Sequence, residues 1–186
     1  MSYLGADWLD RADRDETDKP DQLVAALGLQ PGDSVADIGA GSGYFTLRLA
    51  NRVAPAGVVF AVDVQAEMLA MIERRARAAQ IQNVVRVQST ARDLRLAEGS
   101  LDLALLVDVY HELEAPSLAL AQLKCALKPG GRAVFVEFRE EDPTVAIKPE
   151  HKMSLAGVRD EVGAAGFTFV EAPRLLPRQH VVVFRR

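Results

Sequence analysis

Short apolar runs alternate along this chain with longer segments in which apolar residues recur every three or four positions. Apolar runs of four to eight residues are typical of buried strands, and the three-to-four spacing is typical of amphipathic helices. The runs predict seven strands, at residues 35–38, 58–62, 84–87, 101–107, 132–138, 167–171 and 181–185. The helical spacing predicts helices at residues 20–27, 44–53, 66–79, 116–127 and 154–165.

The order of these elements predicts an α/β fold. Strands that alternate with helices favour a Rossmann-like, doubly wound, mostly parallel sheet of seven strands with helices on both faces. The last two strands are joined by residues 173–179 without a helix, which predicts an antiparallel hairpin at the C-terminal end. Residues 20–186 then form one domain, and the acidic residues 1–19 form an N-terminal arm that acts as a lid.

Composition argues against several classes of function. The chain has 186 residues and a formal net charge of −4, and it lacks the basic face with which proteins bind nucleic acid. A single cysteine excludes an internal disulfide and a cysteine metal cluster within this sequence. No apolar run reaches the ~20 residues of a membrane span, and residues 1–20 lack the apolar core of a signal peptide. We therefore expect a cytoplasmic protein without nucleic-acid or membrane partners.

A glycine-rich loop follows the first predicted strand. Gly39, Gly41 and Gly43 alternate with other residues before a predicted helix, an arrangement that turns backbone N–H groups toward a ligand. Dinucleotide loops have the spacing G-x-G-x-x-G, whereas Tyr44 stands where the third glycine would be. Asp37 places a carboxylate beside the loop, which disfavours a diphosphate and suits a cationic ligand. S-adenosylmethionine, with its ammonium and sulfonium groups, has this chemistry.

Residues 35–46 resemble motif I of the class I S-adenosylmethionine-dependent methyltransferases. Asp63, at the end of the second strand, is similar to the acidic residue of motif II, and the resemblance implies that it accepts the ribose hydroxyls. Near the adenine, many of these enzymes carry an acidic residue where this chain has Thr90; Asp93 is an alternative adenine contact. The implied cofactor-binding residues are Asp37, Gly39, Ala40, Gly41, Gly43, Tyr44, Asp63, Val64, Met68, Thr90, Ala91, Asp108 and Val109.

Residues 108–112 follow the fourth strand and resemble motif IV, which lies between the cofactor and the methyl acceptor. We expect His111 to take the acceptor's proton or to orient the acceptor, because an ordinary histidine pKa of ~6.5 suits proton transfer. We expect Tyr110 to shape the acceptor pocket. The zinc pattern H-E-x-x-H is absent, since Ala115 replaces its second histidine. The sequence therefore predicts a metal-independent reaction.

Three outlying segments are similar to a bacterial subgroup of methyltransferases, and substrate choice is expected to depend on them. They are the N-terminal arm, residues 137–153 and residues 176–180. Arg139 or Lys152 would bind an anionic part of the acceptor. For His151 and His180, a position in an ordinary surface loop fits the sequence as well as a functional role does. The candidate substrate contacts are Trp8, Arg14, Arg139, His151, Lys152 and His180.

The sequence thus predicts an enzyme that transfers a methyl group from S-adenosylmethionine to a small molecule, with a protein acceptor left open. Two alternatives remain at this point. One is a non-catalytic domain that binds S-adenosylmethionine, and the other is a nucleotide-dependent oxidoreductase, against which Tyr44 argues. A homodimer through the sheet edge or the arm is one arrangement that the sequence leaves open.

Overall fold

The computed structural model describes residue 3 and residues 6–186. The strands of this part of the chain are β1 (Ser34–Ile38), β2 (Val58–Asp63), β3 (Val84–Gln88), β4 (Leu101–Val107), β5 (Leu127–Arg139), β6 (Lys152–Met153), β7 (Thr168–Glu171) and β8 (Gln179–Arg185). The helices are α1 (Ala6–Leu9), α2 (Arg14–Asp18), α3 (Pro20–Ala26), α4 (Thr46–Val53), α5 (Ala66–Ala78), α6 (Pro116–Ala126) and α7 (Leu155–Ala164). Two 3-10 turns, Tyr110–Glu112 and Pro149–His151, follow β4 and β5.

The strands form one mixed sheet in the order β3-β2-β1-β4-β5-β8-β7, and β6 pairs with the end of β5. Strands β1 to β5 pair in parallel, whereas β8 runs antiparallel to β5 and β7. The strand order reverses between β1 and β4, and doubly wound sheets bind ligands in the crevice at such a switch point. The predicted Rossmann-like fold with its C-terminal antiparallel hairpin is confirmed.

The core lies on both faces of this sheet, because successive side chains of a strand point to opposite sides. On β4, Leu103 and Leu105 pack into the cluster that contains α3 and α4, whereas Ala104 and Leu106 pack into the cluster that contains α6 and α7. This double burial holds the carboxyl ends of β1 and β4 side by side. None of the helices described is both long and apolar enough to cross a membrane.

Two strand predictions are corrected by the structure. Strand β5 begins at Leu127 rather than at residue 132, because its pairing with β4 continues across a register shift between Leu101 and Leu103. The two-residue strand β6 was not predicted; it pairs with Phe138 and Arg139. A strand this short carries no apolar pattern of its own, so only its pairing reveals it.

Ion pairs hold the N-terminal arm to the domain. Trp8, a predicted substrate contact, is 40% exposed and does not line the cavity described below. The Arg11 guanidinium lies 4.3 Å from the centroid of its ring. Asp18 is only 2% exposed and accepts hydrogen bonds from Arg11, Arg14 and Arg178 at 3.0, 3.1 and 2.7 Å. Residues 1, 2, 4 and 5 of the predicted arm lie outside the described residues, and the boundary after residue 19 stays a prediction.

Candidate active site

A cavity of about 290 Å³ lies at the carboxyl ends of the central strands. Its wall includes backbone of the glycine loop, the carboxylate that ends β2 and residues that follow β3 and β4. Eight of the predicted cofactor contacts line it, namely Gly39, Gly41, Asp63, Val64, Met68, Thr90, Ala91 and Val109. The other five, Asp37, Ala40, Gly43, Tyr44 and Asp108, do not.

Close packing explains why the loop after β1 needs glycine at two positions. Gly39 has a φ of 68°, and a Cβ there would lie 2.3 Å from Cγ2 of Val109. Gly43 has a φ of 85°, and its Cβ would lie 2.9 Å from Cγ1 of Ile72. The Gly39 N–H also donates to the Val62 carbonyl at 2.8 Å. The loop is therefore fixed against β2, α5 and the segment after β4, so its exposed backbone keeps one shape.

Asp63 presents its carboxylate on the cavity wall. Its Oδ2 accepts the Gly41 N–H at 2.9 Å, and its Oδ1 accepts the Gln65 N–H at 2.9 Å. These bonds fix the orientation of the side chain. A carboxylate oxygen has two lone pairs, so each oxygen retains capacity for a further donor such as a ribose hydroxyl.

The other two strand-end carboxylates point into the protein. Asp37 is 2% exposed and accepts a hydrogen bond from the Thr46 hydroxyl at 2.6 Å; burial raises its pKa to about 6. Asp108 accepts two bonds from Nε2 of Gln179, at 3.0 and 2.8 Å. Burial, together with the charge of Glu137, raises the pKa of Asp108 to about 8. The sequence predicted that both side chains contact the cofactor, but neither lines the cavity.

Tyr44 connects the glycine loop to the N-terminal arm. Its hydroxyl donates to Asp15, and the guanidinium groups of Arg14 and Arg48 lie 3.9 and 4.3 Å from its ring centroid. Arg14, a predicted substrate contact, is committed to this stack and to its ion pair with Asp18. Both side chains therefore support the site from outside the cavity.

The arm itself reaches the cavity through Leu9. Asp10, next to it, accepts a hydrogen bond from Ser42 of the glycine loop at 2.9 Å and pairs with Arg75 of α5 at 2.6 Å. The arm thus covers the loop. The sequence does not reveal the contacts of Asp10, because Ser42 and Arg75 are distant from it in the chain.

The loop after β3 forms the far wall of the cavity. The backbones of Thr90 and Asp93 exchange hydrogen bonds of 2.9 and 3.3 Å, and Oε1 of Gln122 accepts the Leu94 N–H at 2.7 Å. Thr90, Asp93, Leu94 and Gln122 all line the cavity. Both predicted alternatives for the adenine contact therefore face the same space, and Gln122, which fixes the loop, was missed because it lies on α6.

His111 and His151, distant in sequence, meet beside this cavity. Nδ1 of His111 lies 2.6 Å from Oε2 of Glu137, and Nε2 of His111 lies 3.0 Å from Nδ1 of His151. Oε1 of Glu112, a wall residue, lies 3.9 Å from each of these last two nitrogens. Burial lowers the pKa of His111, but the hydrogen bond and charge of Glu137 outweigh it and raise the pKa above its ordinary value.

Tyr110 is a core residue and does not shape the cavity. It is 2% exposed, its hydroxyl donates to Glu161 at 2.9 Å, and its ring packs edge-on against Phe135 with centroids 5.1 Å apart. The prediction for Tyr110 is corrected because neighbouring residues of a tight turn point in different directions, which sequence order alone does not reveal.

The remaining predicted substrate contacts lie outside the cavity wall. Arg139 donates to two backbone carbonyls of the loop before β8 at 2.5 and 2.8 Å. His180 bonds Glu141 at 2.8 Å, and Lys152 donates to the Asp142 carbonyl at 3.4 Å. Arg139 and His180 line a separate depression on the surface. These side chains stabilise the segment after β5 in this structure.

Comparison with known proteins identifies the family. The profile of the family described as "Methyltransferase domain" matches residues 35–131, which contain the glycine loop and most of the cavity wall. The chain belongs to this methyltransferase domain family. Its membership confirms the predicted resemblance and the predicted class of enzyme.

Two curated relatives are similar to part of this chain. Demethylmenaquinone methyltransferase of Symbiobacterium thermophilum is 31% identical over 117 residues, which cover 62% of this chain and 47% of that protein. The 2-phytyl-1,4-naphtoquinone methyltransferase of Trichormus variabilis is 32% identical over 119 residues, covering 63% and 52%. The chain spans about half the length of these relatives.

One solved structure resembles this chain over its whole length. The crystal structure of a SAM-dependent methyltransferase from Aquifex aeolicus has a TM-score of 0.93 and 24% sequence identity. The alignment covers 100% of this chain and 98% of that one. The similarity supports the fold, including the antiparallel C-terminal hairpin.

Proposed function

We propose that this chain transfers a methyl group from S-adenosylmethionine to a small-molecule acceptor. The observation that supports this proposal most directly is the cavity wall. Glycine-loop backbone and the Asp63 carboxylate lie side by side at the switch point of the sheet, where doubly wound folds bind ligands. The family profile covers the same residues.

The cavity wall suits each part of the proposed cofactor. Asp63 would accept the ribose hydroxyls with its remaining lone pairs, and the loop of Thr90 to Leu94 would enclose the adenine. The methionine part would lie along the backbone of Gly39 and Gly41, both of which line the cavity. The acidic residues of the wall outnumber the basic one, Arg92 alone, and so favour a cation; they are Asp63, Asp93, Glu112 and Glu114.

We propose that the acceptor binds at the end of the cavity that carries Glu112 and Leu113. The cavity, of about 290 Å³, is close in size to the smaller sites that bind small molecules, roughly 300 Å³. The net charge of −4 gives a nucleic acid no electrostatic footprint. These observations favour a small molecule, and the arm with Leu9 would act as a lid over it.

Methyl transfer is an in-line displacement on a sulfonium carbon, so correct alignment supplies much of the catalysis, roughly 7–11 kcal/mol. In this proposal the histidine pair receives the acceptor's proton. With the Nδ1–H of His111 donated to Glu137, its Nε2 accepts the Nδ1–H of His151. Nε2 of His151 then carries the available lone pair, and the half-exposed position of that ring makes it accessible.

Calorimetric titration with S-adenosylmethionine and S-adenosylhomocysteine tests the proposal. The wild type should bind both, and Asp63→Asn should weaken binding at least ~10-fold, because hydrogen bonds to a charged group are worth about 1.5–3 kcal/mol. Asp21→Asn is the matched control, since Asp21 only pairs with Arg48 at the surface. Absence of binding to the wild type, or equal weakening by both variants, would refute the proposal.

An acceptor screen then separates an enzyme from a binding domain. Mixtures of candidate hydroxyl, thiol and carbon acceptors should yield S-adenosylhomocysteine in excess of the acceptor-free control, as measured by mass spectrometry. NADH is included in the binding series as a check on the oxidoreductase alternative, and we expect no binding. NADH binding together with failure of S-adenosylmethionine to bind would favour that alternative.

A further inference from the structure

His111, Glu112 and His151 form a cluster whose donor atoms lie within 4.8 Å of one another, named here the histidine–glutamate cluster. We propose that this cluster binds a divalent transition-metal ion of the zinc class. The three donor atoms are Nε2 of His111, Nδ1 of His151 and Oε1 of Glu112. The proposal rests on the placement of these atoms and on the buried carboxylate behind them.

The distances between the three atoms suit a common ion. Nε2 of His111 and Nδ1 of His151 are 3.0 Å apart, and each lies 3.9 Å from Oε1 of Glu112. The point equidistant from the corners of such a triangle is about 2.1 Å from each, within the ~2.0–2.2 Å of zinc bonds to nitrogen and oxygen. This point lies to one side of the line that joins the two facing nitrogens, so the half-exposed ring of His151 has to turn toward the ion.

Glu137 supplies the support that a metal-binding histidine needs. Its carboxylate is fully buried, and Oε2 lies 2.6 Å from Nδ1 of His111. Oε1 is fixed separately by the Tyr110 N–H at 2.8 Å. Metal-ligating histidines usually donate their second N–H to such a carboxylate, which fixes the tautomer and directs the other nitrogen at the ion. Nε2 of His111 is then left with its lone pair toward the cluster.

Binding of the ion replaces one hydrogen bond and consumes no proton. Without an ion, Nε2 of His111 accepts a hydrogen from Nδ1 of His151. With the ion, His151 carries its proton on Nε2 instead, and both facing nitrogens offer lone pairs. His151 can exchange this proton with water because its side chain is 42% exposed, and the same exposure gives an ion a route to the cluster.

The donor set selects the class of ion. Two imidazoles and one carboxylate suit Zn²⁺, Co²⁺ and Fe²⁺, whereas Mg²⁺ and Ca²⁺ prefer oxygen ligands. Three protein ligands leave a coordination position open, as in catalytic rather than structural zinc sites. Glu112 also lines the cavity, so the open position lies beside the space assigned to the acceptor.

The role of the ion in catalysis rests on the proposed function. With the ion bound, Nε2 of His151 carries a proton and no longer serves as the base. A hydroxyl or thiol acceptor coordinated to the ion would instead lose its proton to solvent, since a bound cation lowers the pKa of its ligands. The resulting oxygen or sulfur anion forms a bond to the cofactor's methyl carbon. The bond from that carbon to sulfur breaks, and S-adenosylhomocysteine leaves with the electron pair. The sequence predicted a metal-independent reaction because only the near neighbours of His111 were searched for a second histidine. His151, which is distant in sequence, was not included in that search.

Cobalt titration of the full chain, stripped of metal by a chelator, tests the site directly. Co²⁺ should bind at one equivalent and produce visible absorption bands. His151→Ala should weaken Co²⁺ binding at least ~100-fold, and Glu137→Gln about 10- to 100-fold through the loss of support to His111. His180→Ala is the matched control, because it removes the third histidine of the chain without touching the cluster; its affinity should stay within about two-fold of wild type.

Equal Co²⁺ affinity in the wild type and His151→Ala, or equal loss in His180→Ala, would overturn the proposal. Glu112→Gln provides a second test that keeps both histidines, and circular dichroism checks the fold of each variant. Titration of His151→Ala with S-adenosylmethionine distinguishes the two proposals. If the variant still binds S-adenosylmethionine but the wild type binds no Co²⁺, only the proposed metal site is refuted. If the wild type binds Co²⁺ but S-adenosylmethionine does not bind, only the proposed methyl donor is refuted.

Discussion

Replacement of Gly39 by alanine is expected to destabilise the protein through one identifiable contact. The added Cβ would lie 2.3 Å from Cγ2 and 2.9 Å from Cβ of Val109, at a backbone φ of 68°. The left-handed conformation costs alanine about 1–2 kcal/mol and the overlap about 1–3 kcal/mol, so we expect a loss of about 2–5 kcal/mol in unfolding free energy. Urea unfolding followed by circular dichroism measures this loss.

Two further variants separate the overlap from the backbone strain. Gly99 has a similar φ of 59° with no atom within 4 Å of an added Cβ, so Gly99→Ala measures the backbone cost alone. Val109→Ala removes Cγ2 but keeps Cβ, so it relieves the overlap with Ala at position 39 only in part. The double variant should be more stable than the sum of its single changes by about 0.5–3 kcal/mol.

Additive effects of the Gly39 and Val109 changes, within about 0.5 kcal/mol, would refute this reasoning. So would a Gly39→Ala variant that is no less stable than Gly99→Ala. In either case the packing of the glycine loop against the segment after β4 would not be what requires glycine. The glycine at position 39 would then need another explanation.

Three other predictions follow from buried polar groups. Asp18→Asn should cost about 3–5 kcal/mol, because three guanidinium groups lose their charged partner; urea unfolding with a loss below about 1 kcal/mol would contradict it. Burial raises the pKa of Asp37 from 3.8 to about 6, so the wild type should lose about 3 kcal/mol of stability as pH rises through this window. Thermal unfolding measures this loss, and the decrease in melting temperature from pH 4 to pH 7.5 should be smaller for Asp37→Asn than for the wild type. Tyr110→Phe should cost about 0.5–1.5 kcal/mol through its lost bond to Glu161, with unchanged affinity for S-adenosylhomocysteine in calorimetry.

The sequence was sufficient for the fold because each long element carries its own periodic pattern. Strand β4 was predicted at Leu101–Val107 and has those bounds in the structure. The errors fall where tertiary pairing overrides local pattern. Strand β5 continues through a Pro-Gly-Gly turn because β4 pairs with both sides of it, and β6 exists only as a partner of β5.

The candidate site was predictable at the ends of the strands, where spacing along the sequence identifies the residues. It was less predictable where two side chains that are distant in sequence come into contact. Gly39, Gly41 and Asp63 were identified from spacing and line the cavity. His111 and His151 were each singled out, but their 3.0 Å contact depends on the 3-10 turn before β6. No periodic pattern encodes such a contact.

The strand-end carboxylates show why position alone does not determine a role. Asp37, Asp63 and Asp108 all lie at one edge of the sheet, as their sequence positions imply, yet only Asp63 lines the cavity. Burial and the charge of Glu137 raise the pKa of Asp108 to about 8, and its side chain does not line the cavity. The attraction that the wall offers to a cation therefore comes from Asp63 and from the acidic residues of the surrounding loops. The glycine-loop carboxylate that first suggested a cationic ligand is buried under Thr46, so the same inference now rests on different residues.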